Sequence, residues 1–397
     1  MQYQSDIAAI EFSIGRQFIG FLECLESFRD ERVLNPKNPM TKNNTSILVS
    51  ADQLSTFISS ALKSAGLPDQ DAAKVAGLMA AADLQGSDGH GVIRLPQYVK
   101  RILAGGINTH PNIRVVTERA AMAVVDGDNG MGHLVMSHAV DIAIEKARVA
   151  GVAWVGARAS NHAGPASLYV RKPIEHNMIA LYFAVGNANH LPPWGGMDML
   201  LSTNPIAVGI PAGSEPAVVL DMATTVAAYG KVKAKAKRGE QMPEGWMIDR
   251  QGQPLLDPKR AEEGFLLPIG GHKGYGLALI VGLLAGTLNG AAMGRDVVDF
   301  NHDHVTPTNT GQSVLVIDLQ AFGDPQAFKS SIDHLVRDLR SSERLPNVER
   351  IWLPGEQSHL RRQQYSAQGI PLSVPMLADL DALAAELKIA PLVTHQS

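Results

Sequence analysis

The spacing of apolar residues before residue 104 predicts a series of helices. Between Ser50 and Gly66, apolar side chains recur every three or four positions, at Leu54, Phe57, Ile58, Ala61 and Leu62. Ser50 is a residue type that caps the start of a helix, and Gly66 is a type that ends one. Further helical patterns run from Gln70 to about Leu84 and from Arg94 to about Leu103. The front of the chain is therefore predicted to be helical.

After Asn112 the pattern changes to short runs rich in β-branched residues. The runs RVVTE, AMAVVDG and GVAWVGA are typical of strands, and a helical pattern lies between the last two, from Gly132 to Ala150. MIALYFAV and AVVLDMA extend the series of strands, and DALAAELKI predicts a closing helix. Strands that alternate with helices favour an α/β or α+β core.

The stretch GHKGYGLALIVGLLAGTLNGAAMG, from Gly271 to Gly294, is among the most apolar in the chain. Its apolar part, Leu277 to Leu288, has about twelve residues, whereas a bilayer requires roughly twenty. A buried helix is therefore predicted. Because glycines precede this helix and Lys273 lies in its first turn, free backbone N–H groups and one cation are placed to bind an anion such as phosphate.

Composition narrows the class of protein. With 397 residues, 45% of them hydrophobic, the chain can bury a large core in two or three lobes. A formal net charge of -4 gives no basic field for nucleic acid, so small molecules are the predicted partners. The single cysteine, Cys24, excludes an intramolecular disulfide. Asp6, Glu11 and Arg16 interrupt any signal-peptide core, so a cytoplasmic protein without membrane partners is predicted.

Residues 1–45 differ from the rest of the chain. One amphipathic helical pattern is followed by the polar, proline-bearing run RVLNPKNPMTKNNTS. In one interpretation Met40 is the true start, and this extension is non-native or disordered. In the other, it is a dimerisation or regulatory arm.

The first candidate site is GSDGHGVIRLPQYVKR. His90, Arg94 and Tyr98 are spaced by four, so a helix here would place them on one face, although Pro96 interrupts a regular helix. A guanidinium can hold a carboxylate with two hydrogen bonds, and an imidazole can pass a proton near neutral pH. The alternative is that Arg94 and Tyr98 line a solvated helix face.

The second candidate site, RASNHAGPASLYV, follows the strand GVAWVGA. Asn161 and His162 therefore fall at a strand end that leads into a helix, where sheet enzymes place reactive groups. A lone histidine is more often structural, so a catalytic and a structural role are both open for His162.

Two further segments are rich in polar groups. Asn187, Asn189, His190 and Asn204 surround the rigid loop PPWGG, which suits ribose or carboxamide groups or is a turn-rich connector. Asp221 ends an apolar strand where a helix is predicted to begin at Thr224 and Thr225, so it is a site residue or a helix cap.

Two charged runs are weaker signals. KVKAKAKR is a cationic helix face, either solvated surface or a phosphate site. His302, Asp303 and His304 lack a defined coordination spacing, so no metal is predicted. The chain also contains neither G-x-G-x-x-G nor G-x-x-x-x-G-K, which argues against a standard Rossmann or P-loop nucleotide site.

An ordered series of motifs resembles one family. The segments are DGHGVIRLPQYV, SNHAG, PPWGG, STNPIAVGIP, LDMATT, MPEGWMIDRQGQPLLDP, LLPIGGHKGYGLAL and LPGE, and the match runs from about Ile47 to near the C-terminus. Together they resemble the malate/L-lactate dehydrogenase family that lacks a Rossmann fold. The resemblance implies an α/β fold with a non-Rossmann, mixed-sheet nucleotide-binding core and a separate helical lobe. It also implies NAD or NADP as cofactor and a homodimer.

The resemblance also implies roles for individual residues. Catalytic acid–base chemistry falls on His90 or His162, and substrate binding on Arg94 and Tyr98. The residues implied to lie along the cofactor are Asn187, Asp221, Met222, Ala223, Lys273, Gly274, Gly355, Glu356 and Gln357. Gly89 and Asn187 stand where the family commonly has serine, which bears on the substrate more than on the reaction class.

These observations together predict the domain organisation and the reaction. Residues 46–120 with 325–397 are predicted to form the helical lobe, which carries substrate-site residues and dimer contacts, and residues 121–324 the α/β core. The predicted reaction is hydride transfer between nicotinamide and C2 of a small 2-hydroxy or 2-oxo acid, such as malate, lactate or ureidoglycolate. The alternatives are reduction of a cyclic imine of the piperideine-2-carboxylate type, and a non-catalytic nucleotide-binding protein.

Overall fold

Helices dominate both ends of the described chain, and strands dominate its middle. The computed structural model describes residues 46–87 and 89–393, so the predicted extension at residues 1–45 lies outside the described residues. The α-helices are α1 Ala51–Ser64, α2 Asp69–Leu84, α3 Leu95–Leu103, α4 Gly132–Ala150, α5 Ser167–Glu175, α6 Tyr229–Arg238, α7 His272–Ala285, α8 Pro325–Ser341, α9 Glu356–Gln368 and α10 Val374–Leu387.

Within the described residues, the strands form one large sheet and three small ones. They are β1 Ser46–Val49, β2 Arg114–Arg119, β3 Met122–Asp126, β4 Val152–Ser160, β5 Met178–Ala184, β6 Asn189–Leu191, β7 Leu201–Ser202, β8 Ile206–Ile210, β9 Val218–Met222, β10 Met247–Asp249, β11 Gly264–Leu266, β12 Thr310–Asp318 and β13 Ile370–Ser373. The seven-stranded sheet has the order β2-β3-β4-β12-β5-β8-β9. Within it, β3 and β4 are parallel, and the other neighbours are antiparallel. The predicted mixed-sheet α/β fold is confirmed.

The first helix forms as its sequence pattern predicts. Ser50 Oγ accepts the Gln53 N–H at 3.1 Å, and Gln53 Oε1 accepts the Ser50 N–H at 3.0 Å, which completes a capping box. All five predicted apolar positions of α1 are buried. They pack in one core with apolar side chains of α2, α3, β13 and α10. This core lies in the helical part of the fold.

The large sheet is covered on both faces. In β12, Val314 and Val316 pack on one face with apolar side chains of α4 and α5. In β5, Phe183 points to the other face and packs with Val281 and Ala285 of α7. This two-residue alternation is what a sheet between two helical layers requires. The predicted division into residues 46–120 with 325–397 and 121–324 stays a prediction.

Helix α7 forms where it was predicted, but its burial is incomplete. Leu277, Ile280 and Leu283 are 36%, 53% and 39% exposed, because the sheet covers the opposite side of the helix. The prediction of a buried helix is therefore wrong for this face. Among the described residues, the structure contains no helix with the length and apolarity to cross a membrane.

The predicted helix at Thr224 and Thr225 is also wrong. Asp221 lies within β9, and the next helix, α6, begins only at Tyr229. The intervening backbone bonds to neighbouring segments instead: the Thr224 N–H donates to Thr203 O at 2.9 Å, and Thr225 forms a bridge with Pro268. A helical turn cannot form here because the backbone groups that it requires already bond to other segments.

Candidate active site

The segment that carries His90 is a tight turn held by the end of α2. Asp83 is buried in the last turn of α2, and its Oδ2 accepts the Val92 N–H at 2.8 Å. Helix α3 begins only at Leu95, with Pro96 in its first turn, where the missing N–H costs nothing. His90 therefore precedes the helix, and the prediction of a single helical face for His90, Arg94 and Tyr98 is wrong.

The segment that carries His162 follows β4. Near the end of that strand, Ala159 has φ 46°, in the left-handed region, which turns the chain away from the sheet. Asn161 is buried and donates to Asn129 O at 3.1 Å and to Gly130 O at 2.9 Å. Asn161 thus has a structural role, and it fixes the backbone from which His162 projects.

Three side chains from these two segments form a hydrogen-bonded row. The Tyr98 hydroxyl lies 2.5 Å from His162 Nδ1, and His162 Nε2 lies 3.3 Å from His90 Nδ1. The two imidazole rings are stacked, with centroids 5.3 Å apart and planes inclined by 14°. The Gly164 N–H also donates to His162 Nδ1 at 3.4 Å. Three residues that are far apart in sequence therefore form one hydrogen-bonded acid–base group.

Arg94 lies beside this row at the start of α3. Its Nε donates to Gly89 O at 2.8 Å, and its Nη1 donates to Asn301 Oδ1 at 3.4 Å. These two bonds hold the planar guanidinium in place, and its charge acts on His90, His162 and Tyr98. A fixed guanidinium next to two imidazoles can bind a carboxylate while a neighbouring oxygen exchanges a proton.

Burial sets the protonation of the group. It lowers the pKa of His90 to about 4, with Arg94 as the second cause, and it lowers the pKa of His162 well below its ordinary value. Burial raises the pKa of Tyr98, which the charge of Arg94 partly offsets. At neutral pH both imidazoles and the phenol are therefore uncharged, and Arg94 supplies the positive charge.

Two further residues of this site were missed from the sequence. His133, in the first turn of α4, is fully buried, and its ring meets the edge of Tyr98 at 5.6 Å and 90°. Phe300 contacts the rings of Tyr98 at 5.8 Å and His162 at 5.7 Å. Nothing in local spacing indicates His133, whereas Phe300 directly precedes the NHDH run and could have been noticed there.

The residues predicted along the cofactor gather around β9. Asp221 and Met222 belong to this strand, and Ala223 follows it. Asp221 Oδ2 accepts the Ser167 N–H at 2.8 Å, at the first residue of α5, so the carboxylate caps a helix other than the predicted one. Gly355, with φ 83°, lies so close to Val219 that a Cβ there would be 2.7 Å from Val219 O.

The other predicted cofactor residues adjoin the same strand end. Lys273 is exposed in the first turn of α7, and the loop before that helix is anchored to the segment that follows β9 through the Ile269 N–H, which donates to Thr224 O at 3.0 Å. A Cβ at Gly274 would lie 1.9 Å from Ile269 O, so this close approach excludes a side chain. The helix N-terminus and its cation are placed beside β9.

Asn187, another predicted cofactor residue, lies near the histidines. Its Nδ2 donates to Thr310 Oγ1 at 2.8 Å, and its carbonyl accepts the Phe300 N–H at 2.9 Å. Since Phe300 contacts Tyr98 and His162, the Asn187 backbone adjoins the acid–base group. The structure thus places one predicted cofactor residue, Asn187, next to the acid–base group.

Other predicted polar groups have structural partners. The buried Glu356 carboxylate binds Arg340 at 3.2 Å and also Arg350, whereas Gln357 is exposed. Asn204 is buried and donates to Ala278 O at 2.8 Å, which favours the connector interpretation of its loop. His190 stacks on Tyr229 with centroids 4.1 Å apart.

The NHDH run does not converge on one point. His302 Nδ1 lies 3.0 Å from Asp299 Oδ2, and His304 Nδ1 lies 3.4 Å from Gln97 Nε2. Asp303 Oδ1 accepts the backbone N–H groups of Val305 and Thr306. Within residues 46–87 and 89–393, no three His, Cys, Asp or Glu side chains are grouped to hold a metal ion.

Comparison with known proteins agrees with this architecture. Residues 49–381 match the family model described as malate/L-lactate dehydrogenase. Malate dehydrogenase of Pyrococcus horikoshii is 37% identical over 352 residues, which cover 86% of this chain and 96% of that protein. Ureidoglycolate dehydrogenase (NAD(+)) of Escherichia coli strain K12 is 31% identical over 324 residues, covering 82% and 92%.

Solved structures show the same fold. The structure of Pyrococcus horikoshii malate dehydrogenase superposes with a TM-score of 0.81 at 34% identity, and the match covers 90% of this chain and 100% of that chain. The delta1-piperideine-2-carboxylate reductase of Pseudomonas syringae superposes with a TM-score of 0.75 at 32% identity, covering 85% and 100%. The fold is that of these dehydrogenase and reductase structures. The chain belongs to the malate/L-lactate dehydrogenase family.

Proposed function

We propose that this dehydrogenase transfers a hydride between NAD or NADP and C2 of a small 2-hydroxy or 2-oxo carboxylic acid. The row formed by Tyr98, His162 and His90 beside Arg94 carries the proposal, because it joins a proton path to a carboxylate anchor. When bound, the nicotinamide ring supplies the hydride donor or acceptor. The protein binds the cofactor and the substrate, orients them, and moves the proton.

The residues around β9 fit a dinucleotide. The first turn of α7 offers free backbone N–H groups and the exposed Lys273 to a phosphate. Gly274 and Gly355 leave no room for a Cβ, so the backbone is closely packed where β9 meets the two helices. We propose that these residues, with Asn187, Asp221, Met222, Ala223 and Gln357, line the cofactor, and that Glu356 supports this region through its arginine partners.

Arg94 is proposed to hold the substrate carboxylate. Its Nε and Nη1 bond to Gly89 and Asn301, so the guanidinium is oriented before substrate arrives. Either His90 or His162 exchanges the proton of the substrate oxygen in this proposal. A general acid–base group of this kind contributes roughly 100- to 10,000-fold to the rate.

A two-stage experiment tests the proposed function. A thermal-shift assay with NADH and NADPH measures cofactor binding, and absorbance at the nicotinamide band then follows turnover with pyruvate, oxaloacetate, ureidoglycolate and piperideine-2-carboxylate. Turnover of a 2-oxo or 2-hydroxy acid is expected. Turnover of the cyclic imine alone would establish the second candidate, which the similarity to the Pseudomonas syringae reductase supports. Cofactor binding without turnover of any of these compounds would refute both enzymatic proposals.

We also propose that the protein is a cytoplasmic homodimer with a small carboxylic acid as its substrate. The exposed apolar stripe of α7, formed by Leu277, Ile280 and Leu283, supports the dimer because a second copy would bury it. We propose the division into a helical lobe, residues 46–120 with 325–397, and an α/β core, residues 121–324. The apolar core shared by α1, α2, α3, β13 and α10 supports a helical lobe.

A further inference from the structure

The order of groups in the hydrogen-bonded row distinguishes the two histidines. His162 uses both of its ring nitrogens, Nδ1 toward Tyr98 and Nε2 toward His90. His90 uses Nδ1 for His162, and its Nε2 has no hydrogen-bond partner in the part of the chain that the structure describes. A nitrogen that exchanges a proton with substrate must be within hydrogen-bond reach of it. Only His90 Nε2 is available for that contact within this row.

The hydrogen bonds also determine which tautomer each ring adopts. The Gly164 N–H can only donate, and it points at His162 Nδ1, so this nitrogen is an acceptor. The Tyr98 O–H therefore donates to the same nitrogen, and the His162 proton lies on Nε2. His162 Nε2–H then donates to His90 Nδ1, which leaves the His90 proton on Nε2. Every donor in the row points from Tyr98 toward the free end at His90.

We infer that these three side chains form a proton relay in which Tyr98 is the proton source and His90 Nε2–H delivers the proton to the substrate oxygen. This inference rests on the proposed function and deepens it. In the direction of reduction, hydride addition at C2 converts the carbonyl oxygen into an alkoxide, which takes the proton from His90 Nε2. His90 Nδ1 takes the proton of His162 Nε2, and His162 Nδ1 takes the proton of Tyr98.

Each step of the relay moves one proton from one group to the next. Each imidazole loses one proton and gains one, so both rings remain neutral, and the phenol becomes a phenolate. After product release, a proton from water enters at His90 Nε2, and the same shifts in reverse restore the phenol. Burial, the larger effect, raises the pKa of Tyr98 and disfavours that phenolate, and the charge of Arg94 offsets part of this cost. In the direction of oxidation the same shifts run in reverse. The relay therefore needs no imidazolium, which agrees with the low pKa of both histidines.

The surroundings of the row keep it aligned. His133 packs against the edge of Tyr98, Phe300 packs against Tyr98 and His162, and Asp83 holds the turn that carries His90. Tyr98 is fully buried, so its hydroxyl is shielded from water. The role assigned to Tyr98 differs from the substrate contact that the family resemblance implies, because its hydroxyl faces His162.

Kinetics on single and double variants test the relay. Tyr98→Phe, His162→Gln and His90→Gln should each lower kcat for reduction by roughly 100- to 10,000-fold, because each interrupts the same proton path. The double variant Tyr98→Phe/His162→Gln should be no slower than the slower single variant, since members of one unit are not additive. A proton inventory in mixtures of H₂O and D₂O should be curved for the wild-type enzyme. His334→Gln, exposed on α8, is the matched control and should leave kcat unchanged.

Two results would overturn the relay. One is a Tyr98→Phe variant that keeps kcat within threefold of the wild-type value. The other is a double variant whose loss of kcat equals the product of the two single-variant losses. A readout without substrate separates this from the proposed function: ¹⁵N spectra of histidine-labelled protein, assigned with the His→Gln variants, should show His162 and His90 protonated on Nε2. Removal of the Tyr98 hydroxyl should shift the His162 Nδ1 signal. A proton on His162 Nδ1 contradicts the relay even if no substrate is turned over.

Discussion

Gly91 lies directly against the carboxylate of Asp83, so that a Cβ added to the glycine would be 1.9 Å from Oδ1. The same carboxylate accepts the Val92 N–H and so holds the turn that carries His90. Gly91→Ala should therefore displace His90 from His162 and lower kcat by about 10- to 100-fold, because misplacement by about 1 Å is costly in a catalytic group. Steady-state kinetics measure the loss.

A second glycine on the helix that carries Asp83 provides the control. Gly77 is exposed on α2, and a Cβ there would meet nothing within 4 Å. Gly77→Ala should leave kcat unchanged and raise the free energy of unfolding by about 0.5–1 kcal/mol, the difference in helix propensity. Equal kcat values for Gly91→Ala and Gly77→Ala would show that the contact with Asp83 does not position His90.

Replacement of Arg94 by methionine tests the carboxylate anchor. A charge-assisted, bidentate hydrogen bond to the substrate is lost, so KM should rise by roughly one to two orders of magnitude. The Kd for NADH or NADPH, measured by fluorescence titration, should not change because Arg94 lies in the turn next to the histidines. Arg260→Met, at an exposed ion pair with Glu263, is the matched control. An unchanged KM in Arg94→Met would exclude the anchor.

The buried histidines should make the protein less stable in mild acid. Burial lowers the pKa of His90 to about 4 and that of His133 to about 3, whereas in the unfolded chain both are near 6.5. Between these values the unfolded state binds more protons, so the free energy of unfolding falls as the pH is lowered from about 6.5 toward 3. Denaturant melts at pH 7.5 and pH 5.0 measure this decrease.

His133→Leu isolates the contribution of one histidine. Neither ring nitrogen of His133 has a hydrogen-bond partner among the described residues, so a leucine should not reduce stability at pH 7.5. The variant should lose less stability than the wild-type protein between pH 7.5 and pH 5.0, because one buried group no longer titrates. The same loss in both proteins would show that His133 does not contribute to the pH dependence.

The apolar stripe of α7 gives a test of the proposed homodimer. Ile280 is 53% exposed between Leu277 and Leu283, so Ile280→Lys should place a charge in the subunit interface and increase the monomer fraction in sedimentation velocity. Val149 is 89% exposed on α4, outside the stripe, and Val149→Lys should leave the sedimentation coefficient unchanged. A wild-type protein that sediments as a monomer would refute the proposed dimer.

Local signals were sufficient to predict most of the helices and strands. The cap at Ser50 and the apolar spacing that follows it belong to one stretch of chain, so the sequence alone indicates this helix. The strand after Gly151 could be read in the same way from its run of valines and alanines. The prediction of a helix at Thr224 failed because the N–H groups of Thr224 and Val226 bond to Thr203 O and Leu267 O. No local pattern reveals these bonds.

The candidate site was predicted in part. Motif resemblance selected His90, Arg94, Tyr98 and His162, and the structure brings all four together. Their arrangement could not be predicted, because the helix that was expected to align three of them starts after His90. His133 and Asp83 carry no motif at all; they belong to the site because other elements pack against them.

The sequence by itself determined where helices begin, which strands form, and which chemical groups were available, since capping and periodicity act over a few residues. Only the tertiary structure decided that His162 lies between Tyr98 and His90, which are 64 and 72 residues away along the chain. This arrangement depends on the packing of α2 and α3 in one apolar core and on the turn of the chain near the end of β4. Hydrogen-bond direction and burial set the protonation of the row, and both arise only when these helices and strands pack together.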